Sequence, residues 1–185
     1  MNVNPTSLPG VLLLAPPVHA DARGFFIERF NQRAFAQATG LETPFVQDNH
    51  SRSLRGVLRG LHFQHPGAQG KLVQVLAGEV FDVVVDLRPG SATLGQWLGL
   101  RLDHAVAQQL WIPPGLAHGF LVLSAQADVL YKTTAYYQPG AEHVLAWDDP
   151  EVAVNWPLAD LEGAPTLSPR DAAGLPWRQA RTLLA

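Results

Sequence analysis

Four side chains in this sequence have complementary chemistry: the imidazole of His62, the ammonium of Lys71, the phenol of Tyr131 and the carboxylate of Asp171. A free imidazole titrates near pH ~6.5, which suits a general base at working pH. A carboxylate behind it fixes its orientation and supports its protonated form. A cation stabilises negative charge forming on an oxygen. A phenol supplies a proton from elsewhere. Together these are the parts for proton abstraction beside a carbonyl. Each also has an ordinary explanation: a hydrogen-bonded core histidine, a lysine guarding a strand edge, a strand-forming tyrosine and an acid in a helix's first turn.

The spacing says what must hold these groups. Alternate residues of a strand share a face. In Gly60-Leu61-His62-Phe63-Gln64, His62 and Gln64 therefore point one way, and Leu61 and Phe63 point into an apolar layer. The run Asp128–Tyr137 predicts one strand with Tyr131, Thr133, Ala135 and Tyr137 on one face. Six residues at ~3.3 Å each put Tyr131 and Tyr137 roughly 20 Å apart, too far to serve one atom. Leu72–Leu76, Ala77-Gly78 and Val80–Leu87 read as a hairpin. Further strands are expected at Phe25–Phe30, Val57–Phe63, Gln96–Leu102, Gln109–Ile112 and Gly119–Leu123. Asn31, Gln32–Thr39 and Gly40 predict a capped helix, and Ser168-Pro169 starts a short one. Many short strands without crossover helices predict an all-β sandwich or barrel, and 185 residues predict a single domain spanning 1–185.

Composition narrows the function classes. The chain has no cysteine, which excludes a disulfide scaffold, a thiolate zinc site and a cysteine nucleophile. No apolar run approaches the ~18 residues of a membrane helix. Met1–Gly10 lacks a basic region and an apolar signal core, so a cytoplasmic location is expected. The net charge of −3 argues against a nucleic-acid partner. Arg52, Arg55, Arg59 and Lys71 nevertheless cluster against one acid, Asp48, a balance suited to a small anionic ligand.

Pro113-Pro114-Gly115-Leu116-Ala117-His118 is similar to the second half of the cupin signature, P-x-G-x-x-H. Metal-binding cupins pair it with an earlier H-x-H and a glutamate. Here Gln64 takes the second histidine's position, and Ala68 and Gln69 occupy the glutamate's region. Two imidazoles and an amide make a poor divalent-metal site, so no metal is expected.

A longer series of motifs carries a sharper resemblance. Asp21-Ala22-Arg23-Gly24-Phe25-Phe26 with Glu28 is followed by Gln47-Asp48-Asn49-His50-Ser51. Then come Gly56–Gln64, Gln69–Val73, Gly78–Val83, Gln109–Pro113, Ala117–Leu123, Tyr131–Thr134 with Tyr136-Tyr137, and Leu167–Asp171. In this order they resemble the dTDP-4-dehydrorhamnose 3,5-epimerase family. The resemblance implies a cupin-type jelly-roll barrel with its core at about residues 45–150, N-terminal strands and short C-terminal helices packed on it, a homodimer and no cofactor. It implies dTDP-4-dehydro-6-deoxy-D-glucose as substrate and dTDP-4-dehydro-L-rhamnose as product. His62 would be the base, Asp171 its support, Lys71 the cation at the C4 oxygen and Tyr131 the acid. Tyr137 would stack on thymine. Arg23, Glu28, Gln47, Asp48, Asn49, Arg59, His118, Glu142 and Arg170 would bind the nucleotide and pyrophosphate, with Arg23 and Glu28 reaching in from the partner subunit. Arg170 stands where the family often has lysine, and His65 where proline is common.

Overall fold

The computed structural model describes residues 1–184. Its strands are β1 (Asn2–Pro5), β2 (Leu12–Ala15), β3 (Val18–Asp21), β4 (Gly24–Ile27), β5 (Gln47–Leu54), β6 (Leu58–Gln64), β7 (Lys71–Ala77), β8 (Glu79–Asp86), β9 (Trp97–Asp103), β10 (Gln109–Ile112), β11 (Leu116–Val122), β12 (Gln126–Thr133) and β13 (Glu142–Val144). Helix α1 (Gln32–Thr39) precedes β5, and α2 (Pro169–Ala172) and α3 (Trp177–Leu183) close the chain. One sheet runs β1-β2-β10-β7-β12-β5 and the other β13-β6-β11-β8-β9, while β3 and β4 form a separate hairpin. The two sheets face each other as the halves of a jelly-roll barrel, the all-β architecture expected.

Strand alternation sorts the apolar residues into layers. Val73, Val75, Val80, Val84, Leu110, Ile112, Leu116, Phe120 and Val129 meet between the sheets. Leu58, Leu61, Phe63, Val83, Val85 and Leu121 point out of the five-stranded sheet and are covered by Trp156, Trp177 and Ala180. Leu14, Leu72 and Trp111 point out of the other sheet onto Phe35 of α1. That helix forms as its sequence predicts. The Asn31 side chain accepts from the Arg33 and Ala34 amides, and Gly40 ends it in the left-handed conformation.

Two expectations about strands need correction. Leu72–Leu76 and Val80–Leu87 do not pair as a hairpin, because β7 lies between β10 and β12 and β8 between β11 and β9. Gly78, at φ 78°, turns the chain from one sheet to the other, and a Cβ there would lie 2.1 Å from the Gln126 carbonyl oxygen. Both strands are buried on two faces, so a local turn does not decide their partners. The strand expected over Asp128–Tyr137 also stops early, at Thr133. Its neighbours stop there too: Thr133 pairs with Gln47, the first residue of β5, and with Lys71, the first of β7. Tyr137 therefore lies beyond the sheet, and its face cannot be read from the strand's alternation.

Candidate active site

A polar part of the barrel interior lies between the edge strands β5 and β13. A cavity of about 250 Å³ there is lined by Gln47, Asn49, His62, Gln69, Lys71, Tyr131, Tyr137 and Glu142. An adjoining recess of about 140 Å³ shares His62, Lys71, Tyr131 and Glu142 and adds Ser51, Arg59, His118 and Phe120. His62 comes from β6 of the five-stranded sheet, and Lys71 and Tyr131 come from β7 and β12 of the six-stranded one. An imidazole and a phenol thus line one cavity from opposite walls.

His62 Nε2 is 2.6 Å from Asp171 Oδ1. The acid arrives from α2, where Ser168 caps the turn by accepting from the Asp171 amide. The same Ser168 hydroxyl donates to Asp171 Oδ2 at 2.8 Å. The Gly60 amide reaches Oδ1 at 3.4 Å. Burial alone would raise the pKa of Asp171. The hydrogen bonds and charge of His62, with Ser168 and Gly60, outweigh it and hold the carboxyl below its ordinary range. The carboxylate is therefore ready to support a protonated imidazole.

Lys71 is buried, and its Nζ donates to the His62 carbonyl at 3.4 Å. Burial brings its pKa down to about 8, while Glu142 and Asp82 pull it back upward. Burial also raises the Tyr131 phenol, and nearby Glu142 adds to the shift, so the phenol keeps its proton. A poised cation and a protonated phenol facing an imidazole suit enolate formation beside a ketone.

His118 sits opposite His62 in the register of β11 and β6. Its Nε2 is 2.9 Å from Asp82 Oδ2, and both side chains are buried. Burial pushes the imidazole's pKa down against the upward pull of Asp82. Next to it, a Cβ on Gly119 would lie 2.5 Å from the Arg59 carbonyl oxygen, so the two strands meet this closely only with glycine there.

Tyr137 reaches the cavity from the loop after β12. Its amide donates to Gln47 Oε1 at 3.0 Å and its hydroxyl to Glu142 Oε2 at 2.9 Å. Arg170 is ion-paired with Glu142 Oε2 and donates to the Glu142 carbonyl at 3.1 Å, at the rim of the cavity. Arg59 Nε donates to Ser53 Oγ at 2.9 Å, which leaves the rest of the guanidinium at the recess.

Three residues expected at the site are not brought there within one protomer. The Asp48 side chain points out of β5 and takes an ion pair from Lys132 at 2.8 Å, because even positions of that strand face away from the barrel. Arg23 pairs with Asp21 on the exposed β3–β4 hairpin. Glu28 accepts from Asn31 outside the cavity. Conversely, Asp82, Gln69 and Ser51 belong to the site without having been singled out. Asp82 was legible in principle: an acid inside Val80-Phe81-Asp82-Val83-Val84-Val85 must be paired if it is buried.

The model of the family described as dTDP-4-dehydrorhamnose 3,5-epimerase matches residues 5–179. The dTDP-4-dehydrorhamnose 3,5-epimerase of Pseudomonas aeruginosa is 54% identical over 180 residues, covering 97% of this chain and 98% of the relative. The dTDP-6-deoxy-D-glucose-3,5-epimerase of Legionella pneumophila Philadelphia 1, solved in complex with dTDP-4-keto-L-rhamnose, superposes with a TM-score of 0.89 at 50% identity. That match covers 94% of this chain and 90% of the other. A 4-keto-6-deoxy sugar epimerase from the novobiocin biosynthetic gene cluster of Streptomyces spheroides gives a TM-score of 0.91 at 41% identity, covering 98% and 90%. The match of the family's model over residues 5–179 and these likenesses along nearly the whole chain, with an imidazole and a phenol facing each other across the cavity, place the protein in the dTDP-4-dehydrorhamnose 3,5-epimerase family.

Proposed function

We propose that this protein epimerises C3 and C5 of dTDP-4-dehydro-6-deoxy-D-glucose, giving dTDP-4-dehydro-L-rhamnose. The observation that carries the reading is the pair of proton-transfer groups on opposite walls, His62 on β6 and Tyr131 on β12. Inversion at carbon removes a proton from one face and returns one to the other, which a single base does not accomplish.

The C4 ketone acidifies the neighbouring C–H bonds. His62 takes the proton, and the electron pair of the broken C–H bond moves into an enolate with charge on the C4 oxygen. Asp171 stabilises the imidazolium, and the Lys71 ammonium stabilises the oxygen as charge develops, an effect worth about 3–4 kcal/mol per well-placed donor. The Tyr131 phenol then protonates the same carbon from the opposite side, the enolate collapses to the ketone, and solvent resets both groups. The cycle consumes no oxidant or reductant.

Gln47, Asn49, Tyr137, Glu142 and Arg170 form the binding surface for the nucleotide in this reading, with Tyr137 offering a ring to the base. Arg59 and His118 bind beside the reacting sugar. We further propose a homodimer in which the β3–β4 hairpin delivers Arg23 and Glu28 to the partner's site. In its support, Phe25 and Phe26 are 65% and 70% exposed on a two-stranded hairpin that pairs with neither of the larger sheets. A cysteine-free chain also fits the reducing cytoplasm.

Proton NMR of the dTDP-4-keto-6-deoxy sugar with this protein in deuterium oxide tests the reading. Deuterium is expected at both C3 and C5, with the L-sugar accumulating. Exchange at only one of these carbons would make the protein a monoepimerase, and no exchange would remove the assignment.

A further inference from the structure

Along β5 the odd positions Gln47, Asn49, Ser51 and Ser53 turn inward and the even ones outward. Gln47 Nε2 donates to Asn49 Oδ1 at 2.9 Å, and Ser53 Oγ accepts from Arg59 Nε at 2.9 Å. Ser51 Oγ has no hydrogen-bond partner within the protein. It lies in the recess that also holds His62, Lys71, His118 and Tyr131. A buried hydroxyl without a partner destabilises the free protein, and a ligand hydroxyl that pairs it recovers the loss. Successive rungs on one strand face stand ~7 Å apart. Gln47 and Asn49 face the outer cavity with Tyr137, so the next rung meets the sugar where the chemistry occurs.

We propose that Ser51 is a specificity residue that hydrogen-bonds the C2 hydroxyl of the bound nucleotide sugar. This rests on the epimerase reading for the identity of the ligand. The sugar's remaining groups fit the position less well. C4 carries the ketone that faces Lys71, and C6 is a methyl group. The C3 hydroxyl changes orientation when C3 is inverted, so a fixed partner would hold it in substrate or product but not in both. The C2 hydroxyl keeps its configuration throughout. A serine hydroxyl both donates and accepts, so it matches a sugar hydroxyl in either sense. A site built around such a pair discriminates against the analogue that lacks it.

Calorimetric binding of dTDP, dTDP-glucose and dTDP-2-deoxyglucose to the wild type and to Ser51→Ala tests this. The variant should melt no lower than the wild type, because it loses an unpaired group. Its affinity for dTDP should stay within about twofold, and its affinity for dTDP-glucose should fall about 3- to 10-fold. Its affinity for the 2-deoxy analogue should match the wild type's. Equal losses for all three ligands, an unchanged affinity for dTDP-glucose, or a loss that persists with the 2-deoxy analogue would each overturn the role. A wild type that binds these nucleotide sugars but exchanges no C3 or C5 proton would overturn the epimerase reading while leaving the binding result legible. A wild type that binds none of them removes both.

Discussion

His62 and His118 occupy opposed positions on the adjacent strands β6 and β11, and each is bonded through Nε2 to its own buried acid, Asp171 and Asp82. The two pairs differ in solvent access. The His62 side chain keeps 30% of its surface exposed and His118 only 6%. Burial disfavours the charged form of His118, and the charges of Lys71 and His62 act in the same direction. His62 opens to the cavity beside a carboxylate already held in its ionised form. Two similar imidazole–carboxylate pairs thus sit in different environments, one open to the cavity and the other buried behind it.

Replacing His62 with alanine should leave the fold intact and lower turnover by about 10²–10⁴-fold, the usual contribution of a general base. Asp171→Asn keeps the shape of the pair and removes its charge, so it should lose activity through kcat rather than KM. Circular dichroism and steady-state kinetics check both variants. Near wild-type turnover in folded His62→Ala would rule His62 out as the base.

Lys71 gives the reaction a pH signature. Its folded pKa is brought down to about 8, so the ammonium is present below that pH and lost above it. The rate kcat/KM should therefore fall as pH rises through about 8, and Lys71→Met should be slow without that alkaline limb. The linkage to folding has the corresponding sign. The fold favours the neutral amine, so the charge costs stability below about 8, and the cost is relieved as pH rises toward the unfolded value of ~10.4. A pH–rate series on both proteins checks this. An alkaline limb unchanged in the variant would assign it to another group.

Tyr131→Phe removes a hydroxyl and keeps the ring. With His62 intact, the substrate should still exchange protons with solvent on the base's side, while inverted product should largely disappear. Deuterium incorporation followed alongside product formation separates the two events. Loss of exchange and inversion to the same degree would point instead to a binding role.

Away from the site, Asp86 should dominate acid stability. Its fully buried carboxylate accepts from the Arg88 amide and guanidinium and from the Ser91 and Thr93 hydroxyls. Burial pushes its pKa up, but these hydrogen bonds outweigh it and hold the group well below the ordinary carboxylate range. Its stabilisation is thus complete above the unfolded pKa of ~3.9 and is lost as pH falls toward the folded value. Asp86→Ala leaves the Arg88 charge without its partner and should cost about 3–5 kcal/mol in urea unfolding, with little change in kcat. A melt unaltered by the substitution would contradict this.

Subunit mixing tests the exchange of the hairpin. If Arg23 serves the partner's site, a mixed dimer of His62→Ala and Arg23→Ala chains has one doubly defective site and one intact site. Each such dimer should recover up to about half of wild-type activity under twofold symmetry. No recovery in mixtures verified to contain mixed dimers would assign Arg23 to its own chain's site.

Local chemistry in the sequence determined the pieces that depend on near neighbours. Asn31 and Gly40 bound α1 where their capping preferences put them, Ser168-Pro169 starts α2, and the alternation around His62 turns the imidazole away from Leu61 and Phe63. The ordered motifs were enough to name the family. Tertiary structure decided the rest, because partners distant in the chain set it. Strands buried on both faces have no alternation to reveal which sheet they join, so β7 and β8 looked like a hairpin and lie in different sheets. The polar strand β5 lacks the apolar pattern of a strand, yet pairing with β12 makes it one wall of the cavity. That pairing also turns Asp48 outward and Ser51 inward, a choice of face that depends on register alone.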